Sequence, residues 1–171
     1  SRLTAATAAA GGLGIIAAAP MTFDQMVAAI AEVQAATDAP FGVNLRTDSA
    51  DVDRRVDHLI TAGVRVASFA QAPSQAIVER LKEVGVVVIP TIGAARHAEK
   101  VAEWGVDAVI AQGAEGGGHT GLVPTSILVP QVLDALSGSG VGVVAAGGFT
   151  DGRGLAAALA WGADAVAMGT R

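Results

Sequence analysis

The chain has no cysteine, which excludes disulfides, a thiol nucleophile and any Cys-ligated metal. Aromatic residues make up only 4% and charged residues only 16%. Eleven Lys and Arg against 16 Asp and Glu leave a formal net charge of −5, with no basic cluster. That balance argues against a nucleic-acid partner, since phosphate backbones are held by grouped Lys and Arg. Long apolar runs are missing too. A span needs about 18 uncharged apolar residues, and the nearest approach, residues 3–21, is broken by Gly11, Gly12, Gly14 and Pro20. With no signal-peptide pattern, a soluble cytoplasmic protein without a membrane partner is expected. The Gly-x-Ser-x-Gly turn of Ser hydrolases is absent, and Gly138, Ser139 and Gly140 read as a plain loop. His58, His97 and His119 share no ligand spacing, so no metal site is expected.

What the chain does have is Ala, Val, Leu and Ile: hydrophobic residues reach 51%. A chain so apolar and so poor in charge must bury its sheet on both faces, as parallel strands under helices do. Seven short apolar runs fit such strands: residues 13–18, 41–45, 65–70, 86–92, 107–112, 142–146 and 164–168. Helical patterns with recognisable starts lie between them. Thr22 opens one reaching about Ala36, and Asp51 or Ser49 opens one that stops near Gly63. Ser74 opens the next, Gly93 precedes one running through Trp104, and Asp151 opens the last, ending at Gly162. Residues 2–10 read as a further helix, and another begins near Thr125.

Strand-to-strand spacing is about 20 to 25 residues over most of the chain, a regularity that favours a closed (β/α)8 TIM barrel over a doubly wound sheet. A full barrel needs eight units and about 250 residues. The expectation is therefore one α/β domain over residues 1–171, an incomplete barrel short of its first strand and its last helix with the tail that follows.

In a barrel, chemistry gathers at the C-terminal ends of the strands. Two Gly-rich turns follow the last two strands, at Gly147 and Gly148 and at Gly169 beside Thr170. Such turns, leading to helix N-termini, suit a phosphate; the choice between Gly147 and Gly148 as the contact stays open. After the run 107–112 comes a loop with five glycines around Glu115 and His119. It reads as a backbone segment laid against a flat or anionic ligand, with one imidazole to move protons near neutral pH. His58 and His97 sit in helical patterns beside charges and read as ordinary surface residues. Asn44 and Gln112 stand at strand mouths, where an amide can donate to a ligand ring; for Asn44 a turn-forming role is the alternative. Glu115 is left between catalytic acid and loop charge.

The segment Gln112, Gly113, Ala114, Glu115, Gly116, Gly117, Gly118, His119, Thr120, Gly121 closely resembles the Gln-Gly-x-Glu-x-Gly-Gly-His-x-Gly signature of nitronate monooxygenases. Residues 145–154 and 168–170 resemble that family's phosphate-binding strands, and residues 10–15 and 40–45 match its early segments. The resemblance implies an FMN cofactor. By position, Asn44, Gln112, Gly117 and the adjoining Gly118 contact the flavin ring and ribityl chain. Gly148 with Gly147, and Ala167, Met168, Gly169 and Thr170, hold the phosphate. His119 is the implied catalytic base. It takes a proton from a carbon acid such as a nitroalkane, the flavin oxidises the nitronate, and O2 reoxidises the flavin. The partners implied are thus a small-molecule substrate and O2. Residues 64–70 and 89–98 look most like an actinobacterial group of the superfamily acting on acyl-CoA intermediates of steroid-ring breakdown. An NAD(P)H-dependent enoyl reductase or acyl-CoA dehydrogenase is therefore the alternative activity. A phosphate-binding barrel without flavin is the alternative of another class.

Overall fold

The computed structural model describes residues 1–118 and 120–169. The chain divides into two compact units, Ser1–Val88 and Ile89–Arg171. In the first, α1 (Arg2–Ala9), β1 (Ile15–Ala17), α2 (Phe23–Ala36), β2 (Gly42–Leu45), α3 (Val52–Thr61), β3 (Val66–Phe69) and α4 (Gln75–Glu83) lead to the start of β4 (Val87–Ile92). In the second, β4 is followed by α5 (Ala95–Ala102), β5 (Ala108–Gln112), α6 (Thr125–Ala135), β6 (Gly142–Ala146), α7 (Gly152–Trp161) and β7 (Ala165–Ala167). All seven expected runs are strands, β6 with the expected bounds and the others trimmed at one or both ends.

Every registered pair is parallel, and within each unit the strands neighbour one another in chain order. A doubly wound sheet reverses its order at a switch point, so this sequence of neighbours is the barrel's. In the first unit β2 pairs β1 from Ile15↔Gly42 and β3 from Gly42↔Val66. The Val87 amide donates to Arg65 O, which begins the next rung. In the second unit β5 and β6 align from Ala108↔Gly142 to Gln112↔Ala146.

Strands stay buried on both faces because helices cover them. On α2, Met26, Ile30 and Val33 recur at helical spacing and are fully buried. Phe69 and Leu45 are fully buried on the strands of the same unit, each burial contributing about 1.5–3 kcal/mol. In the second unit α6 packs on β5 and β6, with Leu128, Val129 and Val132 buried on the helix and Val109, Ala111 and Ala145 on the strands.

Three of the expected helix starts hold in detail, Asp151 of α7 among them, its side chain accepting from the Arg153 amide. Thr22 forms a reciprocal capping box with Gln25, and Ser74 accepts from the Ile77 amide. Asp51 stands at the N-cap of α3 but its side chain makes no cap bond. It accepts from Arg55 Nε and Ser49 Oγ instead, because a charged donor on the next turn outcompetes a backbone amide. α5 is shorter than expected, ending at Ala102 ahead of Trp104. No described helix is long and apolar enough to cross a membrane.

Candidate functional site

The second unit brings two loops together at the C-terminal ends of β5 and β6. Beyond Gln112 the chain folds back on itself. Ala114 N donates to Val123 O at 2.9 Å and Gly116 N to Gly113 O at 3.0 Å. Gln112 Nε2 donates to Gly117 O at 2.8 Å, and its side chain lies where a Cβ on Gly116 would sit. The result is a compact loop of the omega kind, closed at its base. Its tip differs: a methyl group at Gly117 or Gly118 would meet no atom within 4 Å. Gln112 therefore holds the loop that was expected to sit beside it against a ligand. One of its amide hydrogens is spent there, leaving the other and Oε1 for a ligand.

Thr125, the first residue of α6 and only 4% exposed, joins the loop to the turn after β6. Glu115 Oε2 accepts from Thr125 N at 2.9 Å and from Thr125 Oγ1 at 2.7 Å. The same hydroxyl lies 3.1 Å from Gly147 O and 3.4 Å from Ala146 O. A hydroxyl has one proton to donate, and the short contact to a carboxylate takes it. A Cβ on Gly113 would collide with Thr125, and one on Gly147 would come within 2.6 Å of Thr125 Oγ1. Both glycines are therefore demanded by close approach. Glu115 is thus a cap on α6, its negative charge set at the positive end of the helix. The Thr125 hydroxyl, and next the Thr125 amide, hold its carboxyl below the usual carboxylate range. The sequence weighed Glu115 as acid or loop charge; the structure gives it a helix to hold. Thr125 was legible as a helix start, not as a hub.

Gly147 and Gly148 have φ of +106° and +77°, the left-handed region where only glycine is at ease. β7 pairs β6 with Ala146↔Ala167, so Met168 and Gly169 follow Ala167 as Gly147 and Gly148 follow Ala146. Gly148, Met168 and Gly169 are exposed, Ala167 half-buried, and a methyl group at Gly169 would meet nothing within 4 Å. The start of α7 carries a side-chain cap beside the expected phosphate grip. The N-terminus of α7 already has its own anion, because Asp151 Oδ1 accepts from Arg153 N at 2.9 Å. The Arg153 guanidinium, then its amide, hold the Asp151 carboxyl below its ordinary value.

Asn44 belongs to the first unit, half-buried on β2, where Nδ2 donates to Ser68 Oγ at 3.0 Å. His119 and Thr170 lie outside the described residues. His58 sits edge-on to Phe23, 5.6 Å between ring centres, and His97 is exposed on α5. Sequence reasoning passed over Arg55. Its buried guanidinium donates to Asp51 Oδ1 at 2.9 Å, Ala18 O at 3.2 Å and Met21 O at 2.7 Å. It staples α3 to the loop at the C-terminal end of β1. One of two adjacent Arg inside a charged helical pattern gave no signal for this.

With this geometry in hand, comparison with known proteins is informative. The sequence model of a family described as nitronate monooxygenase matches residues 1–54 and 47–171. A "(3aS,4S,5R,7aS)-5-hydroxy-7a-methyl-1-oxo-octahydro-1H-indene-4-carboxyl-CoA dehydrogenase" of Mycobacterium tuberculosis is 65% identical over the whole chain, which spans 48% of that protein. FabK from Thermotoga maritima superposes with a TM-score of 0.93 at 45% identity, over 99% of this chain and 53% of its own. A nitroalkane oxidase from Streptomyces ansochromogenes superposes at 0.90 with 32% identity, over 98% of this chain and 60% of its own. The chain thus spans about half the length of these proteins.

Proposed function

Since the chain belongs to the nitronate monooxygenase family, we propose that the protein of which it forms a part is an FMN-dependent oxidoreductase that dehydrogenates a cyclic carboxyl-CoA thioester. The observation that carries the substrate class is the gradient of identity. It falls from 65% with the carboxyl-CoA dehydrogenase to 45% with FabK and 32% with the nitroalkane oxidase, all over nearly the whole chain.

The residues of the second unit fit the phosphate end of FMN. Gly147 and Gly148 carry backbone conformations that leave no side chain in the way, and Gly169 is open. These glycines, with Ala167, Met168 and Thr170 alongside, would hold the phosphate through backbone amides. Gly117 and Gly118 at the loop tip, and the unspent half of the Gln112 amide, would face the ring and ribityl chain. Asn44, in the first unit, is the proposed ring donor there. When bound, FMN supplies a two-electron acceptor. The chain's own task is the proton. His119 would take it from the carbon next to the thioester carbonyl, an acidic position for the same reason as the carbon beside a nitro group. That shared carbon-acid chemistry relates the two substrate classes named among the similar proteins.

The test is product analysis with the full-length protein, FMN and a hydroxylated bicyclic carboxyl-CoA thioester. Loss of two hydrogens from the thioester supports the reading, and unchanged thioester overturns it. A second reading, oxidation of a nitroalkane with O2, is favoured by the 0.90 superposition on the nitroalkane oxidase. Oxygen uptake on nitroalkane addition, with the thioester untouched, would establish it instead. Use of NAD(P)H belongs to the reductase variant of the first reading, and flavin bleaching by NAD(P)H alone, without air, would mark it.

A further inference from the structure

We propose that Glu115 and Thr125 form a clip that locks the glycine-rich loop to the turn after β6, so that Glu115 positions the site and does not donate a proton in it. The proposal rests on the reading of this face as an FMN site. Three segments meet at one hydroxyl. Glu115, ten residues before Thr125, takes its hydroxyl and amide protons; Gly147, 22 residues after it, lies 3.1 Å away through its carbonyl oxygen. Gly113 and Gly147 leave no room for a methyl group between themselves and Thr125. Gly148 continues the contact, since a Cβ there would rest 3.5 Å from Glu115 Cβ. Gly113 N also donates to Ala146 O at 3.0 Å, so a shift of the carboxylate passes through this bond and the close packing at Gly147 to both stretches of backbone that a phosphorylated flavin would touch.

A cap that merely stabilised α6 has no reason to touch the turn after β6. A catalytic acid has no reason to spend one oxygen on two backbone-anchored donors. The clip needs only an acceptor oxygen at this point. Glu115→Gln keeps one and loses the ionisable group, whereas Glu115→Ala loses both. On the partner side, Thr125→Ser keeps the hydroxyl and Thr125→Val removes it with little change in shape.

The experiment uses the full-length protein with two readouts, amide hydrogen exchange by mass spectrometry and titration of the apoprotein with FMN. Glu115→Ala and Thr125→Val are each expected to speed exchange about tenfold in peptides covering 113–118 and 147–149 together, the weight of a lost cap. The double variant should be no faster than either single, because the pair acts as one unit. Glu115→Gln and Thr125→Ser should stay within about threefold of the parent, inside the few tenths of a kcal/mol that a preserved bond allows. FMN dissociation constants should follow the same pattern. Exchange that rises at 113–118 while 147–149 is unchanged overturns the clip. So does Glu115→Gln behaving like Glu115→Ala. If the parent itself binds no FMN, the flavin reading fails, and the exchange readout still decides the clip.

Discussion

Replacing Arg55 by Ala leaves the Ala18 and Met21 carbonyls and the Asp51 carboxylate without the guanidinium that now serves all three. The Arg55 side chain is 7% exposed and that of Asp51 33%, so water can take over at Asp51 far more readily than around Arg55 itself. Hydrogen bonds from a charged donor contribute about 1.5–3 kcal/mol each. The Ala18 carbonyl keeps the Met21 amide at 3.1 Å, which argues for the low end. Two such bonds give about 3 kcal/mol. The partly exposed Asp51 pair adds only about 0.5 kcal/mol. Urea unfolding should therefore shift by about 1.2–3.5 M for a loss of about 3.5 kcal/mol, given slopes of about 1–3 kcal/mol per molar. Arg55→Met separates the causes, since it restores the packing of the stem but none of the donors. Both carbonyls remain in place, so Met should recover less than about a third of the loss. Arg55→Lys should fall between, because a point charge cannot reach three acceptors held in a fork. Arg55→Met at parental stability would refute this reasoning, since the staple would then be packing alone.

Gly147→Ala should cost about 2–3 kcal/mol in the same assay, combining left-handed strain with the 2.6 Å approach to Thr125 Oγ1. Gly63→Ala is its control, with φ of +69° and open space around it, and should cost about 1 kcal/mol; equal losses would deny the Thr125 contact any weight. Thr22→Ala breaks the capping box and should lower stability by about 1 kcal/mol in a thermal melt, with Thr22→Ser near the parent. Acid should act through Asp51 and Glu115, both held below their ordinary values of 3.8 and 4.5, by Arg55 first in one case and the Thr125 hydroxyl first in the other. The stability they confer is complete above those ordinary values and is lost as pH falls below them through the folded values. Unfolding midpoints measured from pH 7 to 3 should drop in that window, and Glu115→Gln should flatten the drop. A midpoint that rises on acidification contradicts the sign. His119→Ala should leave FMN bound and slow proton abstraction by about 10²–10⁴-fold, as for a lost general base; loss of FMN would make His119 a binding residue.

The elements themselves were legible because their signals are local. Met26, Ile30 and Val33 repeat at helical spacing, Thr22 and Ser74 lie next to the helices they cap, and β-branched runs mark the buried strands. The parallel order was legible from the regular spacing of strand and helix. Tertiary hydrogen bonds were not. Arg55 reaches carbonyls 37 and 34 residues away, and no periodicity within α3 announces partners at that distance. Asp51 looked like a cap and became an ion-pair partner through a local i,i+4 contact with Arg55, where a charged donor competes with the backbone amide. At the candidate site, the glycines mark two segments that meet at Thr125, Gly113 to Gly118 and Gly147 with Gly148. What joins them, one threonine hydroxyl between a carboxylate and a carbonyl, depends on how β5, β6 and the start of α6 meet. At the start of α7, the Asp151 side chain takes the Arg153 amide, a detail the glycine motif does not announce.

The measurement that tests the central claim most directly is the absorption spectrum of the full-length protein reconstituted with FMN, recorded without air before and after adding the carboxyl-CoA thioester. The account expects bound flavin whose yellow absorbance bleaches with the thioester and stays unchanged with a nitroalkane. Bleaching by the nitroalkane alone would contradict the substrate class, and a protein that takes up no FMN would contradict the flavin site itself.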